Sequence, residues 1–531
     1  EQTAGQATLQ LKQGKTVGQT FVARYAGLTA IEILLTPGQT PDDMYFHLQT
    51  EPGAAGEIAS GRVPLNGQDT PTYVRFPFPP QDSNQAYYYF WLETDSPDPI
   101  HIAHDRARTY LHGAAYRNHE PVTAQLAFRL VYDPVWVARG LLGEGAVWLG
   151  MVLRPGVLFT LPGWALLRAL YPGWASRGWE EKLALAGGVS LALYPILLAW
   201  TDVVGLRMGA AYAWGPPILA AGYLIWAHRA IPARFGLPNP GRNRGFGNPL
   251  RAGLIQLMLL IRRPQTLILL LILMLLFATR FWAIRSLETG MWGDSYQHTL
   301  IAQLLVDHGG LFDSWQPYID LTSFTYHFGF HTSAALLHWL TGMGAAKSVL
   351  WAGQIINVLA VFALLPLTNK VGGNRWAGVG AVLLAGLLIN MPSFYVNWGR
   401  YTQLTGQAIL PVTVFLAWDL FAREGRLHGF RVLTGLVFAG LAMTHYRVII
   451  MAGCFFPAYA LLNVRQTSWR RVFGHALGFG VTAGVLFAPW FINVFAGKLV
   501  DFLSATLSSS AGISQTLKNL NRIDDLTRYL P

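Results

Sequence analysis

The sequence has little charge. Only 13% of its 531 residues are Asp, Glu, Lys or Arg, whereas 52% are hydrophobic and 19 are tryptophan. This composition excludes an ordinary soluble protein. Several apolar stretches approach the length of about 20 residues that a helix needs to cross a bilayer. The sequence therefore predicts a polytopic, mainly α-helical membrane protein.

Cysteine and several catalytic signatures are also scarce or missing. The single cysteine, Cys454, excludes an intrachain disulfide and a cysteine-based zinc site. No phosphate-binding glycine loop, His-Glu-x-x-His motif or nucleophile elbow is present, so nothing indicates nucleotide-driven pumping. No chain of acidic residues runs through the apolar segments, which argues against a proton relay, and no file of polar residues runs through them, which argues against a translocator of lipid-linked glycans.

Residues 1–133 differ from the rest because they contain no apolar run long enough to span a membrane. Short alternating stretches such as "LTAIEILLT" and "PTYVRFPF" are separated by Gly, Pro, Asp and Asn, which predicts an antiparallel, jelly-roll-like β-sandwich. The aromatic stretch Tyr87–Trp91 could hold a sugar ring or simply fill the core of the sandwich, and we favour the second interpretation.

About ten transmembrane helices are predicted after the β-domain. Three form a membrane region over 134–228, where 134–153 is expected to lie along the interface before the first span. A linker rich in Arg, Pro and Gly covers 229–263, and a second membrane region covers 264–495 with a loop at 286–347. The apolar runs are 147–170, 182–204, 209–228, 264–285, 348–369, 375–394, 405–422, 430–444, 448–464 and 472–495.

Orientation follows from the basic residues, because cytoplasmic loops are enriched in Lys and Arg. The basic residues behind the formal charge of +11 lie mainly in short loops, so no nucleic-acid partner is expected. The linker 229–263 contains seven arginines, which place it in the cytoplasm. The run 331–343 has 13 residues, which is too short for a comfortable span, and we expect it to be interfacial or half-inserted. The β-domain and the stretches 293–298, 395–404 and 444–447 then face outward.

The two ends of the sequence carry expectations of their own. Because the chain starts at Glu1 rather than at Met, we expect a leading segment to have been removed or left out. Residues 496–531 are expected to be an extracytoplasmic tail that is truncated.

Three groups of residues on the outward side could carry chemistry. Asp294 could act as a general base or cap the following helix. Arg400 and Arg447 offer guanidinium forks for phosphate, against the alternative of anchoring to lipid headgroups. In "HFGFH", His327 and His331 would share one face if the segment is helical, but no third metal ligand is evident. His298 and His445 are further candidates, and His445 could help to neutralise a phosphate.

From Pro264 to about Asn493 the sequence resembles the GT-C superfamily of membrane glycosyltransferases. The resemblance rests on "GMWGDSYQH" after a first core helix, then "YHFGFHTSAALLHWLTG", "MPSFYVNWGRYTQLTGQAILP" and "MTHYRV". These stretches look like those of the bacterial members of uncertain substrate that carry an added N-terminal extracytoplasmic β-domain. A second acidic residue in a later outer loop, frequent in such families, is missing here, and a divalent metal is therefore left open.

The resemblance implies inverting transfer of a sugar from a polyprenyl-phosphate donor, in a bacterial-type cytoplasmic membrane, to an extracytoplasmic glycan or protein acceptor. Asp294 would be the base, and Arg400, Arg447 and His445 would hold the donor phosphate. The remaining polar residues of these stretches would bind substrate: His298, His327, His331, Asn397, Tyr401 and Gln403. The alternative is a non-catalytic envelope protein, whose β-domain binds a glycan or a partner and whose helices anchor it, alone or with partner subunits.

Overall fold

Two antiparallel β-sheets form the N-terminal part of the chain in the computed structural model, which describes residues 7–36, 42–65, 70–105, 112–234, 263–290, 293–322, 324–425, 427–463 and 468–495. The linker residues 235–262 and the tail 496–531 therefore lie outside the described residues. The strands are β1 Ala7–Leu11, β2 Val17–Val22, β3 Leu28–Thr36, β4 Asp42–Gln49, β5 Ala59–Leu65, β6 Thr72–Gln81, β7 Tyr87–Thr94, β8 Ile100–Asp105, β9 Ala115–Arg117, β10 Glu120–Val122, β11 Gln125–Leu126 and β12 Phe128–Tyr132.

The two sheets enclose one apolar core. One sheet has the order β1-β8-β3-β12, with β11 beside β8 and β6 beside β3, and the other has the order β10-β9-β2-β7-β4-β5. Aromatic rings from the two sheets meet between them: Phe46 stacks on Phe76 with ring centroids 5.3 Å apart, and Phe21 lies 5.9 Å from Phe128. Strands such as β3 and β4 alternate buried and less buried side chains over much of their length, which explains why this part folds as a layered β structure.

The aromatic residues of β7 serve both faces of their sheet. Tyr88 and Phe90 belong to the core between the sheets. Trp91 is on the opposite face, where its ring stacks on His47 with centroids 3.8 Å apart, and Tyr89 packs there against Tyr116. Core filling, the interpretation favoured from the sequence, therefore holds for only part of this stretch.

The described residues after 133 are mainly helical. The chain as a whole divides into two units, residues 1–150 and 151–531. A short 3₁₀ turn, Trp174–Ser176, and a π-helical turn, Leu384–Leu388, interrupt the helices. The helices are α1 Pro134–Leu170, α2 Trp179–Val203, α3 Ala211–Arg234, α4 Pro264–Ile284, α5 Gly293–His308, α6 Gly329–Thr341, α7 Ala345–Phe362, α8 Leu364–Gly372, α9 Arg375–Leu383, α10 Ser393–Asn397, α11 Tyr401–Phe421, α12 His428–Thr444, α13 Tyr446–Asn463 and α14 Trp469–Phe495.

The described residues contain eight helical segments long and apolar enough to cross a membrane. This confirms a β-domain followed by several long apolar helices, which is compatible with a multi-pass membrane protein, but it does not confirm ten spans. α3 is not among the eight, and α12 is apolar but shorter. The predicted interfacial segment at 134–153 is not separate from the first span, since both belong to α1, a continuous helix of 37 residues.

α6 lies where the sequence predicts the short apolar segment. It has 13 residues, or roughly 20 Å at 1.5 Å per residue. Gly342 ends it with a φ of +76°, a left-handed conformation that favours glycine. Its first nine residues are buried, so the helix is enclosed by its neighbours rather than lying freely along a surface.

Basic residues gather at the C-terminal end of α11. The buried carboxylate of Asp419 accepts hydrogen bonds from Arg423 Nε at 2.8 Å, Lys370 Nζ at 3.1 Å and the Tyr171 hydroxyl at 3.0 Å. Arg177 adds a third cation 3.6 Å away. Because α11 has 21 residues, this end lies roughly 30 Å from the N-terminal end of the helix, which is close to the thickness of a bilayer core.

Candidate functional site

Four stretches of the chain meet at the N-terminal end of α11: the first turn of α5, the segment 324–331, the turn before α11, and the junction of α12 and α13. The segment 324–331 is fixed by its backbone. Phe328 N donates to Met443 O at 3.0 Å, and the Tyr446 hydroxyl donates to Thr325 O at 3.1 Å. Polar residues from distant parts of the sequence therefore share this end of the bundle.

Asp294 and Arg400 form an ion pair at this end, with Arg400 Nε 3.4 Å from Asp294 Oδ2. Gly399 permits the approach. Its φ is +73°, and a Cβ at this position would lie 3.2 Å from Asp294 Cβ and 3.0 Å from Ser295 Oγ, so a larger residue would be strained and crowded. The side chains of Asp294 and Arg400 are 42% and 46% exposed, and a ligand can reach both.

The Asp294–Arg400 pair is too exposed and too loose to be a major source of stability. Charge-assisted hydrogen bonds are usually about 2.7–2.9 Å long, and exposed ion pairs typically contribute about 0–1 kcal/mol. Asp294 also lies in the first turn of α5 rather than before it, where a negative charge interacts favourably with the helix dipole. Both structural effects are small, which leaves room for a chemical role.

Tyr326 lies near both this pair and Arg447. Burial raises the pKa of Tyr326, and the charge of Asp294 adds to the rise, whereas a hydrogen bond with Thr402 and the charges of Arg400 and Arg447 oppose it. Tyr326 therefore lies within electrostatic range of all three charged residues. Its side chain is 40% exposed. Sequence reasoning did not select it, although it stands in the quoted "YHFGFH" stretch directly before His327.

The four candidate histidines form two contacts beside the charged residues. His298 Nδ1 lies 2.9 Å from His331 Nε2, and the rings of His327 and His445 lie 4.6 Å apart. All four are buried. Nε2 of His327, Nδ1 of His331 and Nδ1 of His445 have no hydrogen-bond partner, which is unusual for buried polar atoms.

Burial keeps these histidines neutral. It lowers the pKa of His298 to about 4, that of His327 to about 3 and that of His445 to about 4, and it lowers the pKa of His331 well below the ordinary value. The charge of Arg447 further lowers the pKa of His445. At neutral pH, therefore, His445 supplies no positive charge to neutralise a phosphate, and it can only form a hydrogen bond.

The expected helical pair His327 and His331 does not form. α6 begins at Gly329 after Phe328, whose φ of −118° and ψ of 3° are not helical. His327 therefore lies before the helix and His331 within it, and they do not share a helix face. Among the described residues, no group of three or more His, Cys, Asp or Glu side chains is placed to hold a metal ion.

The other three candidates lie to the side of the Asp294–Arg400 pair. Asn397 and Tyr401 line a cavity of about 300 Å³ between α4, α7 and the stretch 393–401. Gln403 Nε2 donates to the Tyr395 hydroxyl at 3.3 Å. The cavity also contains Arg280, a cation that sequence reasoning missed because it stands inside the apolar run of α4.

The neutral histidines make stability dependent on pH. Their folded pKa values lie below the unfolded value of 6.5, so the unfolded chain binds more protons between about pH 6.5 and about pH 4. We expect the melting temperature to fall as pH is lowered through this window. His298 and His445 each contribute on the order of 3 kcal/mol that is present above pH 6.5 and lost toward pH 4.

Two variants of the purified protein test whether the buried histidines cause this pH dependence of the melting temperature. His445→Asn should make the melting temperature less dependent on pH, whereas His428→Asn, at an exposed position, should leave the dependence unchanged. A melting temperature that stays constant from neutral pH to about pH 4 would contradict burial of neutral histidines.

Comparison with known proteins identifies a family for the chain, but this family has no known activity. The model of a family of unknown function, DUF6541, matches residues 156–527. No curated protein matches the chain, and no solved structure does.

Proposed function

We propose a function for the chain, which belongs to the DUF6541 family of unknown function: it is an integral membrane glycosyltransferase that transfers a sugar from a polyprenyl-phosphate donor to an extracytoplasmic acceptor. The observation that carries this proposal is the ion pair of Asp294 and Arg400. Arg400 Nε lies 3.4 Å from Asp294 Oδ2, and both side chains are accessible. A base and a phosphate-binding group are the two parts that such a transfer needs.

The reaction divides between these residues. The Asp294 carboxylate accepts the proton of an acceptor hydroxyl while that oxygen attacks the anomeric carbon of the sugar. The bond from this carbon to the phosphate oxygen breaks, and the lipid phosphate leaves with the electron pair. Attack opposite the leaving group inverts the configuration at the anomeric carbon.

Arg400 stabilises the departing phosphate, and Arg447 binds the donor phosphate before and during the reaction. Arg400 faces Asp294 through Nε, so its half-exposed guanidinium can offer its other nitrogens to phosphate oxygens. Arg447 is exposed beside His445. Fixed cations that face the developing negative charge lower the barrier, because they need no reorganisation at the moment of reaction.

The charge distribution supports an outward orientation for this site. The two ends of α11 carry the Asp294–Arg400 pair and the Asp419 cluster, and the second end gathers Arg177, Lys370 and Arg423. Cytoplasmic ends of membrane helices are enriched in such residues. We therefore place the site on the outer face of a bacterial-type cytoplasmic membrane, where a glycan or protein acceptor is present.

A non-catalytic envelope protein is the second candidate function. It is favoured by the fact that Asp294 already has a partner, and by the aromatic outer face of β7, where Trp91 and His47 stack and could contact a glycan. In that case the Asp294–Arg400 pair would only join α5 to α11, and no variant of either residue would affect a sugar transfer.

Arg447→Gln tests the donor site separately from the base. Loss of a charge-assisted contact to phosphate should raise the KM for a polyprenyl-phosphate sugar on the order of tenfold, with a smaller change in kcat. Initial rates in detergent over a range of donor concentrations measure both. Arg207→Gln, at an exposed position between α2 and α3, is the matched control, and an equal KM in the two variants would remove Arg447 from the donor site.

A further inference from the structure

A cavity lies among the helices next to the Asp294–Arg400 pair. It has a volume of about 300 Å³ and is bounded by α4, α7 and the stretch 393–401. Gly290 lines it, and a Cβ at Gly290 would lie 2.6 Å from Ser295 Oγ. One end of the cavity therefore adjoins the first turn of α5, which carries Asp294.

Arg280 supplies a positive charge to this cavity. Its Nε donates to Asn357 Oδ1 at 2.9 Å, and its Nη2 donates to the Gly386 carbonyl at 2.7 Å. The Gly386 carbonyl belongs to the π-helical turn Leu384–Leu388, and π-turns within helices are frequent at functional sites. Asn357 is itself held by a bond to the Pro392 carbonyl at 3.0 Å.

These bonds show that Arg280 is not anchored at the lipid surface. An arginine near the end of a membrane helix commonly extends its side chain toward headgroups and water. Arg280 instead points inward, and its remaining nitrogen, Nη1, makes only a long contact of 3.4 Å to Thr279 Oγ1. No carboxylate among the described residues pairs with it, so the cavity holds an uncompensated positive charge, which is costly in an apolar surrounding.

The other lining residues define what would compensate that charge. Gln354 and Asn397 add polar groups to the lining, whereas Ile284, Leu287 and Leu350 make the rest of it apolar. Thr279 and Ala283 line the cavity and are exposed. The cavity thus opens along an exposed side of α4, where the apolar side chains of Leu271 and Leu275 are also exposed.

We propose that this cavity binds the headgroup phosphate of an anionic membrane lipid, with Arg280 as the cation and Gln354 and Asn397 as hydrogen-bonding groups. A lipid fits better than a free phosphate ion, because the mouth is apolar and lies on an exposed apolar helix. This site is distinct from the Arg400 and Arg447 pair, and it does not depend on sugar transfer.

The test is the thermal stability of the full-length protein in a neutral detergent, with phosphatidylglycerol, phosphatidylcholine or inorganic phosphate added. We expect phosphatidylglycerol alone to raise the melting temperature of the wild type. Arg280→Gln should weaken phosphatidylglycerol binding on the order of tenfold or more, as expected for a lost charge-assisted contact. Arg207→Gln should keep the full response.

A second variant separates ligand binding from folding. Ala283→Trp narrows the mouth of the cavity and leaves the hydrogen bonds of Arg280 in place, so it should also abolish the response. The proposal is overturned if phosphatidylglycerol stabilises Arg280→Gln or Ala283→Trp as strongly as the wild type, or if the wild type does not respond. Equal stabilisation by inorganic phosphate would instead assign the cavity to a soluble anion.

Discussion

Asp294→Asn is expected to lower the turnover of sugar transfer by about 10²–10⁴, the usual cost of losing a general base. The substitution preserves the size of the side chain but removes its ability to accept a proton. Folding should be nearly unaffected, because the ion pair with Arg400 is exposed and such pairs contribute about 0–1 kcal/mol. Turnover and melting temperature are measured on the same purified sample.

Asp307→Asn is the matched control for this prediction. Asp307 lies on the same helix, α5, is exposed, and accepts a hydrogen bond from Gln303 rather than from a residue of the site. It should leave turnover unchanged. If Asp294→Asn transfers sugar as fast as Asp307→Asn, Asp294 serves only the first turn of α5 and the catalytic assignment fails.

Arg400→Gln is expected to lower turnover by about 10²–10³, the range observed when a group that stabilises transition-state charge is removed. The donor KM should change less than kcat, because the phosphodiester of the donor carries one negative charge and gains a second only as the bond to the sugar breaks. Arg400→Lys should recover only part of the loss, since an ammonium group keeps the charge but cannot form a planar fork with phosphate and Asp294 at once.

The double variant Asp294→Asn with Arg400→Gln provides a further check. Residues that act as one unit show strongly non-additive effects, so the double variant should be little slower than the worse single variant. Fully multiplicative losses, or an Arg400→Gln protein as active as Arg207→Gln, would contradict a shared role.

Much of the architecture could be predicted because it follows from local periodicity. Alternating strands such as β3, which buries every second side chain over much of its length, are visible in the sequence, and so are apolar runs such as α4. The nearness of Asp294 and Arg400 could also be anticipated, because both stand at helix ends that the charge bias assigns to one side. Predicting that these two residues lie close together required only the number of membrane crossings between them.

Features that depend on packing could not be predicted. Nothing local in "HFGFH" shows that a helix begins at Gly329, since this boundary results from the docking of Phe328 on Met443. The contact of His298 with His331 joins residues from two helices. Arg280 could not be distinguished from a lipid anchor until its bonds to Asn357 and Gly386 were known.

The most direct test of the proposed function is a transfer assay with the wild-type protein in proteoliposomes. A panel of radiolabelled polyprenyl-phosphate sugars is supplied with membrane glycan and protein acceptors, and the anomeric configuration of any product is determined. The account predicts transfer from at least one donor, with inverted configuration, which is lost in Asp294→Asn and kept in Asp307→Asn. No transfer from any donor, or a product of retained configuration, would contradict it.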